Sequence, residues 1–204
     1  MKRSTDAILT THVGRLQRAD TITEKLVERY AGTAVDQAAL DAELAASVAG
    51  VVRQQADAGI RVVNDGEFGR ISWLIYAHER LSGFEQRPVE LKHAAAILRG
   101  KDRSDFADYY AEFDARGGLT YYKSPGAAGS SGGMRNRQSI CVGPVAYRGQ
   151  AMLRAEIDVF KAALGGADVA EGFMTSTAPG DIVYAAPNDY YRNEEENLSA
   201  SRMR

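Results

Sequence analysis

The chain has 204 residues, 45% hydrophobic and 25% charged, the makeup of a soluble globular protein with enough apolar material for one substantial core. Its formal charge of -2, from 27 acidic and 25 basic residues, supplies no basic field for nucleic acid and no polybasic strip for an anionic membrane. The single cysteine, Cys141, rules out an internal disulfide framework and fits a reducing, cytoplasmic location. The start "MKRSTDAILTTHVGR" lacks the apolar core of a leader peptide, and no stretch approaches the roughly 18 apolar residues of a membrane helix.

"AILTTHV" (7–13) is short, rich in β-formers and bounded by Gly14, which predicts a buried first strand with Thr11 and His12 at its polar end. Thr21 followed by Glu24 has the spacing of a capping box, and Ile22, Leu26, Val27 and Tyr30 then repeat on one helical face. From Asp36, the positions Leu40, Leu44, Val48, Val51, Val52 and Gln55 trace a stripe that stops at Gly59, suited to the left-handed residue after a helix. Ile60, Val62 and Val63 make the second strand, and "SWLIYAHERL" (72–81) reads as a helix after the turn "NDGEFGR". A helix over 104–115 and the Gly/Ser tract 124–133 fall within an insertion or lid-like segment, 87–137. "SICVGPV" (139–145) is the third strand candidate. A helix carrying Leu153, Ile157, Phe160 and Leu164 on one face follows, and then "DVAEGFMTST" as the fourth strand. Strands separated by helices imply right-handed crossovers, a parallel sheet and the α/β class. From 193 to 204 the apolar periodicity is lost, which predicts a frayed or non-native tail to a single domain spanning 1–204.

In parallel α/β folds, ligands bind beyond the carboxyl ends of the strands. Those ends carry Thr11, His12 and Arg15; Asn64, Asp65 and Glu67; Gly143 and Pro144; and Thr175, Ser176 and Thr177. Each has an ordinary explanation beside the functional one. His12 is either a hydrogen-bonded core histidine or a site residue, and Asp65 with Gly66 either forms a turn or frames a pocket. Glu67, a carboxylate at the mouth of a sheet, needs water or a partner and can hold an ammonium group. Arg15 and Arg70 are surface charges or forks for a carboxylate. Trp73 and Tyr76 read as packing, and Cys141 as a small core hydrophobe. Cys141, His12, His78 and His93 show no short ligand pairing, so no complete zinc site is visible, and neither a nucleophile elbow nor a dinucleotide fingerprint is present.

Five segments, "ILTTHVGRLQR", "AGIRVVNDGEFGR", "ERLSGFE", "CVGPVAYRGQ" and "FMTSTAPGDIVYAAPNDYY", together resemble the short, single-barrel relatives of cobalamin-independent methionine synthase, in order and from Ile8 to Glu196. The resemblance implies a TIM barrel, and a zinc ion that turns a thiol, homocysteine in the synthase, into a thiolate attacking the methyl group of a folate. The synthase holds its amino acid partly with an Ile-Gly-Ser segment after strand 1, matched here by Val13, Gly14 and Arg15, so that arginine replaces serine. It also uses the glutamate of a His-Gly-Glu segment after strand 2, where this chain has Asp65, Gly66 and Glu67. The expected substrate-binding set is therefore His12, Val13, Gly14, Arg15, Asp65 and Glu67.

The family's zinc ligands come from the second half of the barrel, and this chain has about four of the eight strand-helix units. The expectation is a partial (β/α)8 barrel without zinc ligands of its own. On this expectation a truncated or frameshifted reading frame, or an artificially chosen end, accounts for the missing half, and the chain alone is expected to be inactive. Open sheet edges predict self-association. The alternatives are a non-catalytic half-barrel that binds a ligand or partner, and alkyl transfer to a thiol other than homocysteine.

Overall fold

A computed structural model of the chain describes residues 2–88, 101–115, 137–184 and 186–201. The Gly/Ser tract 124–133 and His93 lie outside them. Helix α1 (Asp20–Tyr30) begins one residue before Thr21, so the expected capping box is not made; Thr21 Oγ1 instead donates to Glu43 Oε1 across to the next helix. Helix α2 (Gln37–Asp57) starts as expected, with the Asp36 side chain accepting from the Ala39 N–H, and ends before Gly59 at φ +80°. Its buried residues Leu40, Val48, Val51, Val52 and Gln55 belong to the predicted stripe.

Strand β1 (Val62–Val63) follows, then α3 (Trp73–His78), capped by Ser72 onto the Ile75 N–H and shorter than its predicted range. Next come β2 (Phe84–Pro88), α4 (Lys101–Asp105), α5 (Ala107–Ala115) and β3 (Arg137–Cys141). Helix α6 (Gln150–Leu164), β4 (Glu171–Gly172), α7 (Pro179–Tyr184) and α8 (Glu194–Ser201) complete the described chain.

The parallel part of the fold is narrow. Strand β1 pairs with β4, Val62 opposite Glu171 and Val63 opposite Gly172, and on its other side Thr11 makes a single parallel bridge to Val62. The segment 7–13 is therefore an edge rather than a buried strand. Only one of its sides is paired among the described residues, and Ile8 and Val13 stand in water at 85% and 67% exposure.

The third predicted strand is the larger correction. Residues 137–141 pair antiparallel with β2, Phe84 opposite Cys141 through Pro88 opposite Arg137, and do not join the parallel sheet. The β2–β3 ladder thus closes the ends of the segment expected to be an insertion. Gly83, at φ +83°, lets the backbone pass close to Gly143, where a Cβ would overlap the Gly143 carbonyl oxygen.

Two apolar clusters place these elements. Val48, Val51 and Val52 of α2 pack with Val63, Phe68 and Phe160, joining α2 and α6 over β1. Ile22 and Leu26 of α1 pack with Leu40, Ile71 and Ile75, bringing α1 and α3 onto the start of α2. Residues 194–201, expected to fray, form α8 instead, and its buried positions Asn197 and Ser201 are polar, which is why no apolar period marks it. Among the described residues no helix is long and apolar enough to cross a membrane.

Candidate functional site

The turn after β1 is built from the inside. Gln55, buried on α2, donates to the Asn64 carbonyl at 2.8 Å and accepts from the Asn64 N–H at 3.1 Å, fixing the strand end to the helix. Asn64 then turns the chain, its Oδ1 accepting from the Gly66 N–H, while Asp65 Oδ1 accepts from the Glu67 N–H. Gly66 takes φ +65°, and Glu67 takes φ +57°, the one non-glycine residue with positive φ among those described. A glutamate in the left-handed region costs about 1 to 2 kcal/mol, so its surroundings must hold it there.

Arg18 supplies much of that restraint. Its Nη1 donates to the carbonyls of Glu67, Phe68 and Arg70 at 3.3, 2.8 and 2.6 Å, and its Nε donates to Thr23 Oγ1 at 2.9 Å. Burial, and then the neighbouring charge of Arg15, lower its pKa to about 10, so it stays cationic at neutral pH. The Leu16 N–H donates to the Gly66 carbonyl, so the segment 12–18 wraps the turn.

The side chains of this turn meet the end of β4. Thr175 Oγ1 donates to Glu67 Oε1 at 2.9 Å and accepts from Arg70 Nη1 at 2.6 Å. Arg70 is 5% exposed and lies 3.6 Å from Asp65 Oδ2 and 3.9 Å from Glu67 Oε1. Its guanidinium also lies 4.4 Å from the Tyr76 ring centroid, and Arg80 lies over the same ring at 3.4 Å. Tyr76 donates to Glu156 on α6, which also binds Arg80; burial first, and then Glu156, push the phenol's pKa up. Glu67 Oε2 has no partner among the described residues.

The predicted site residues are brought into one region without converging on one atom. Asn64 Nδ2 donates to the His12 carbonyl at 2.5 Å, while the His12 ring turns to the Gly14 carbonyl at 3.1 Å. Val13 is exposed, Gly14 takes φ +102°, and Arg15 Nη1 donates to the Ile71 carbonyl at 3.3 Å. Thr177 donates to the Trp73 carbonyl, and Trp73 itself is half-exposed. Gly143 and Pro144 belong to the approach at Gly83 and lie in the chain beyond β3, outside the parallel sheet. Gln55 is marked in the sequence only by its place on the buried stripe of α2, and Arg18 and Glu156 do not stand out there, where a buried arginine or glutamate looks like any surface one.

Behind the turn lies a cavity of about 440 Å³ between α2 and α6. Leu44, Val48, Met152, Ala155 and Val159 form its apolar walls, and Asp65, Arg70 and Glu156 are among its polar residues.

Among the described residues, the donors that a zinc ion would need do not gather. Cys141 Sγ faces the Gly143 carbonyl at 3.6 Å, with burial pushing the thiol pKa up; the His78 ring packs on Phe84 at 4.5 Å; and His12 is at the opposite, edge segment of the chain. Among the described residues no three His, Cys, Asp or Glu side chains are placed to hold a metal, and these residues do not fit zinc.

No family model matches the chain, and no curated protein matches its sequence. Among solved structures, it matches a B12-independent methionine synthase from Shewanella sp. W3-18-1, in complex with selenomethionine, with a TM-score of 0.57 over 94% of this chain at 14% identity. The likeness is one of fold. It extends over 44% of the synthase chain, so this chain spans less than half of that structure. The mixed α/β fold, with few strands, is similar to a methionine synthase barrel domain.

Proposed function

We propose that this chain is a methionine synthase-like partial (β/α)8 barrel whose strand ends bind an amino-acid thiol, the acceptor of a methyl or other alkyl group. The observation that carries the reading is Glu67. It sits at the carboxyl end of a parallel strand, in a left-handed conformation, with one oxygen held by Thr175 and the other, without a partner among the described residues, able to take an ammonium group. Strained non-glycine backbone costs stability, and such strain clusters at functional sites, which supports a binding role for this turn. Arg70 and Asp65 flank the carboxylate, and Arg15 stands at the edge segment where it can meet a substrate carboxylate.

The chain's own contribution is to bind and orient. Its described residues do not fit zinc, so no step of methyl transfer is assigned to them, and a folate donor and the metal belong to the resemblance alone. A cytoplasmic location, and self-association through the edges beside Thr11 and β4, form part of the same reading.

Titration calorimetry with homocysteine tests it. Glu67→Gln keeps the side chain's size and one acceptor oxygen but removes the charge, and should weaken binding by about 1.5 to 3 kcal/mol. Unchanged affinity would overturn the assignment. The scattered donors favour a second reading, a binding unit without chemistry; tight, stoichiometric zinc uptake by this chain would argue against it.

A further inference from the structure

The end of β1 carries one buried side chain that serves two segments at once. Asn64 is 2% exposed; its Oδ1 accepts from the Gly66 N–H at 2.8 Å, inside the Glu67 turn, and its Nδ2 donates to the His12 carbonyl at 2.5 Å, on the edge segment. We propose that Asn64 is a positioning residue that sets the distance between the ammonium and carboxylate halves of the strand-end site, and so makes that site select ligands carrying both charges. The proposal rests on the strand-end reading, in which Glu67 takes the ammonium and Arg15 the carboxylate.

Asn64 acts from a fixed base. Gln55 donates to its carbonyl and accepts from its N–H, so the backbone at 64 is tied to α2. An amide of this length offers a donor to one side and an acceptor to the other. Aspartate would face the His12 carbonyl with a second acceptor, and an apolar side chain would leave a buried N–H and a carbonyl without this partner.

The two halves are held unequally. The Glu67 turn has supports besides Asn64: Arg18 donates to the carbonyls of Glu67, Phe68 and Arg70, Asp65 Oδ1 accepts from the Glu67 N–H, and Thr175 holds the carboxylate. The edge segment is bridged to β1 at Thr11 and meets the turn again at Leu16, whose N–H donates to the Gly66 carbonyl. Between those points lie the exposed Val13 and Gly14, which takes φ +102° with open space where a Cβ would stand. The bond from Asn64 to His12 falls within this span, and Arg15 lies at its far end, its Nη1 3.3 Å from the Ile71 carbonyl. Loss of the His12 bond therefore loosens the approach to Arg15 and leaves Glu67 in place.

The test is calorimetric titration of the whole chain with three thiols: homocysteine, 3-aminopropanethiol, which lacks the carboxylate, and γ-mercaptobutyrate, which lacks the ammonium. The native chain should bind homocysteine at least about tenfold more tightly than either analogue. Asn64→Asp keeps the acceptor for the Gly66 N–H and removes the donor to His12; homocysteine should weaken about tenfold while 3-aminopropanethiol stays within about twofold. Asn64→Ser, whose hydroxyl can serve Gly66 but is too short for His12, should behave alike without adding charge. Equal loss of homocysteine and 3-aminopropanethiol in both variants, or loss of folded structure in both by circular dichroism, would show a purely structural role and overturn the proposal. A native chain that binds 3-aminopropanethiol as tightly as homocysteine would also overturn it. So would homocysteine affinity within about twofold of native in both variants; if Glu67→Gln still weakens homocysteine in that case, the strand-end reading stands without the role given to Asn64. Absence of any homocysteine binding to the native chain overturns both.

Discussion

Thr175 donates a hydrogen bond to Glu67 at 2.9 Å across 108 residues of chain, and this bond ties the end of β4 to the end of β1. The same hydroxyl accepts from Arg70, so a single oxygen mediates between a carboxylate and a guanidinium that otherwise stand 3.9 Å apart. Thr175→Val keeps the shape and removes both bonds. Denaturant unfolding should show a loss of about 1 to 3 kcal/mol, because Arg70 is left with a further unpaired buried donor. Thr175→Ser should restore most of it.

Arg18 is the second support of the same turn. Arg18→Met retains the buried stem and removes donors to three carbonyls and to Thr23. The expected loss is about 3 kcal/mol by chemical denaturation, with Lys only partly effective, since an ammonium cannot reproduce the fork that reaches both Thr23 and the turn. A loss below about 0.5 kcal/mol would show that the turn holds itself.

Two glycines with nearly the same φ separate conformational strain from close approach. Gly32, at φ +82°, has nothing within 4 Å of the position a Cβ would take, so Gly32→Ala should cost only the left-handed backbone penalty, about 1 to 2 kcal/mol. Gly83, at φ +83°, would drive a Cβ into the backbone of Gly143 and, at 2.7 Å, into the Pro144 carbonyl. Gly83→Ala should cost clearly more, by at least about 2 kcal/mol in paired unfolding curves, since backbone cannot give way as a side chain does.

His78 gives the fold an acid sensitivity. Burial lowers its pKa from the ordinary 6.5, outweighing the backbone bond to Ile182 that raises it. Below about pH 6.5 the unfolded chain takes up a proton that the folded chain refuses, so stability falls as pH falls, until the lower folded pKa is reached. Above that window the group contributes no slope. Melting temperature followed from neutral pH downward should drop, and His78→Gln should flatten the part of the drop just below pH 6.5; an unchanged slope would show that His78 titrates normally.

Much of the helical layer was legible in the residues. The stripe from Leu40 to Gln55, the Asp36 cap and Gly59 were each local signals, and each determined local structure. The pairing of strands was not local. "FEQRP" carries one large apolar residue and ends in proline, so nothing in it announces β2, and without β2 the run 139–145 reads as a parallel strand instead of its antiparallel partner. The same limit governs the site. Glu67 stands out as a carboxylate after an apolar run, yet its partner Thr175 is identified only by the β1–β4 register, and Arg18 only by burial.

Binding at the strand mouth turns on Glu67 receiving the ammonium group of an amino-acid thiol. A double-mutant cycle tests this most directly, pairing Glu67→Gln with a ligand that lacks the amino group, γ-mercaptobutyrate, against homocysteine. The predicted coupling is about 1.5 to 3 kcal/mol, with the substitution weakening homocysteine and sparing γ-mercaptobutyrate. A coupling near zero, with both ligands affected alike, would contradict it.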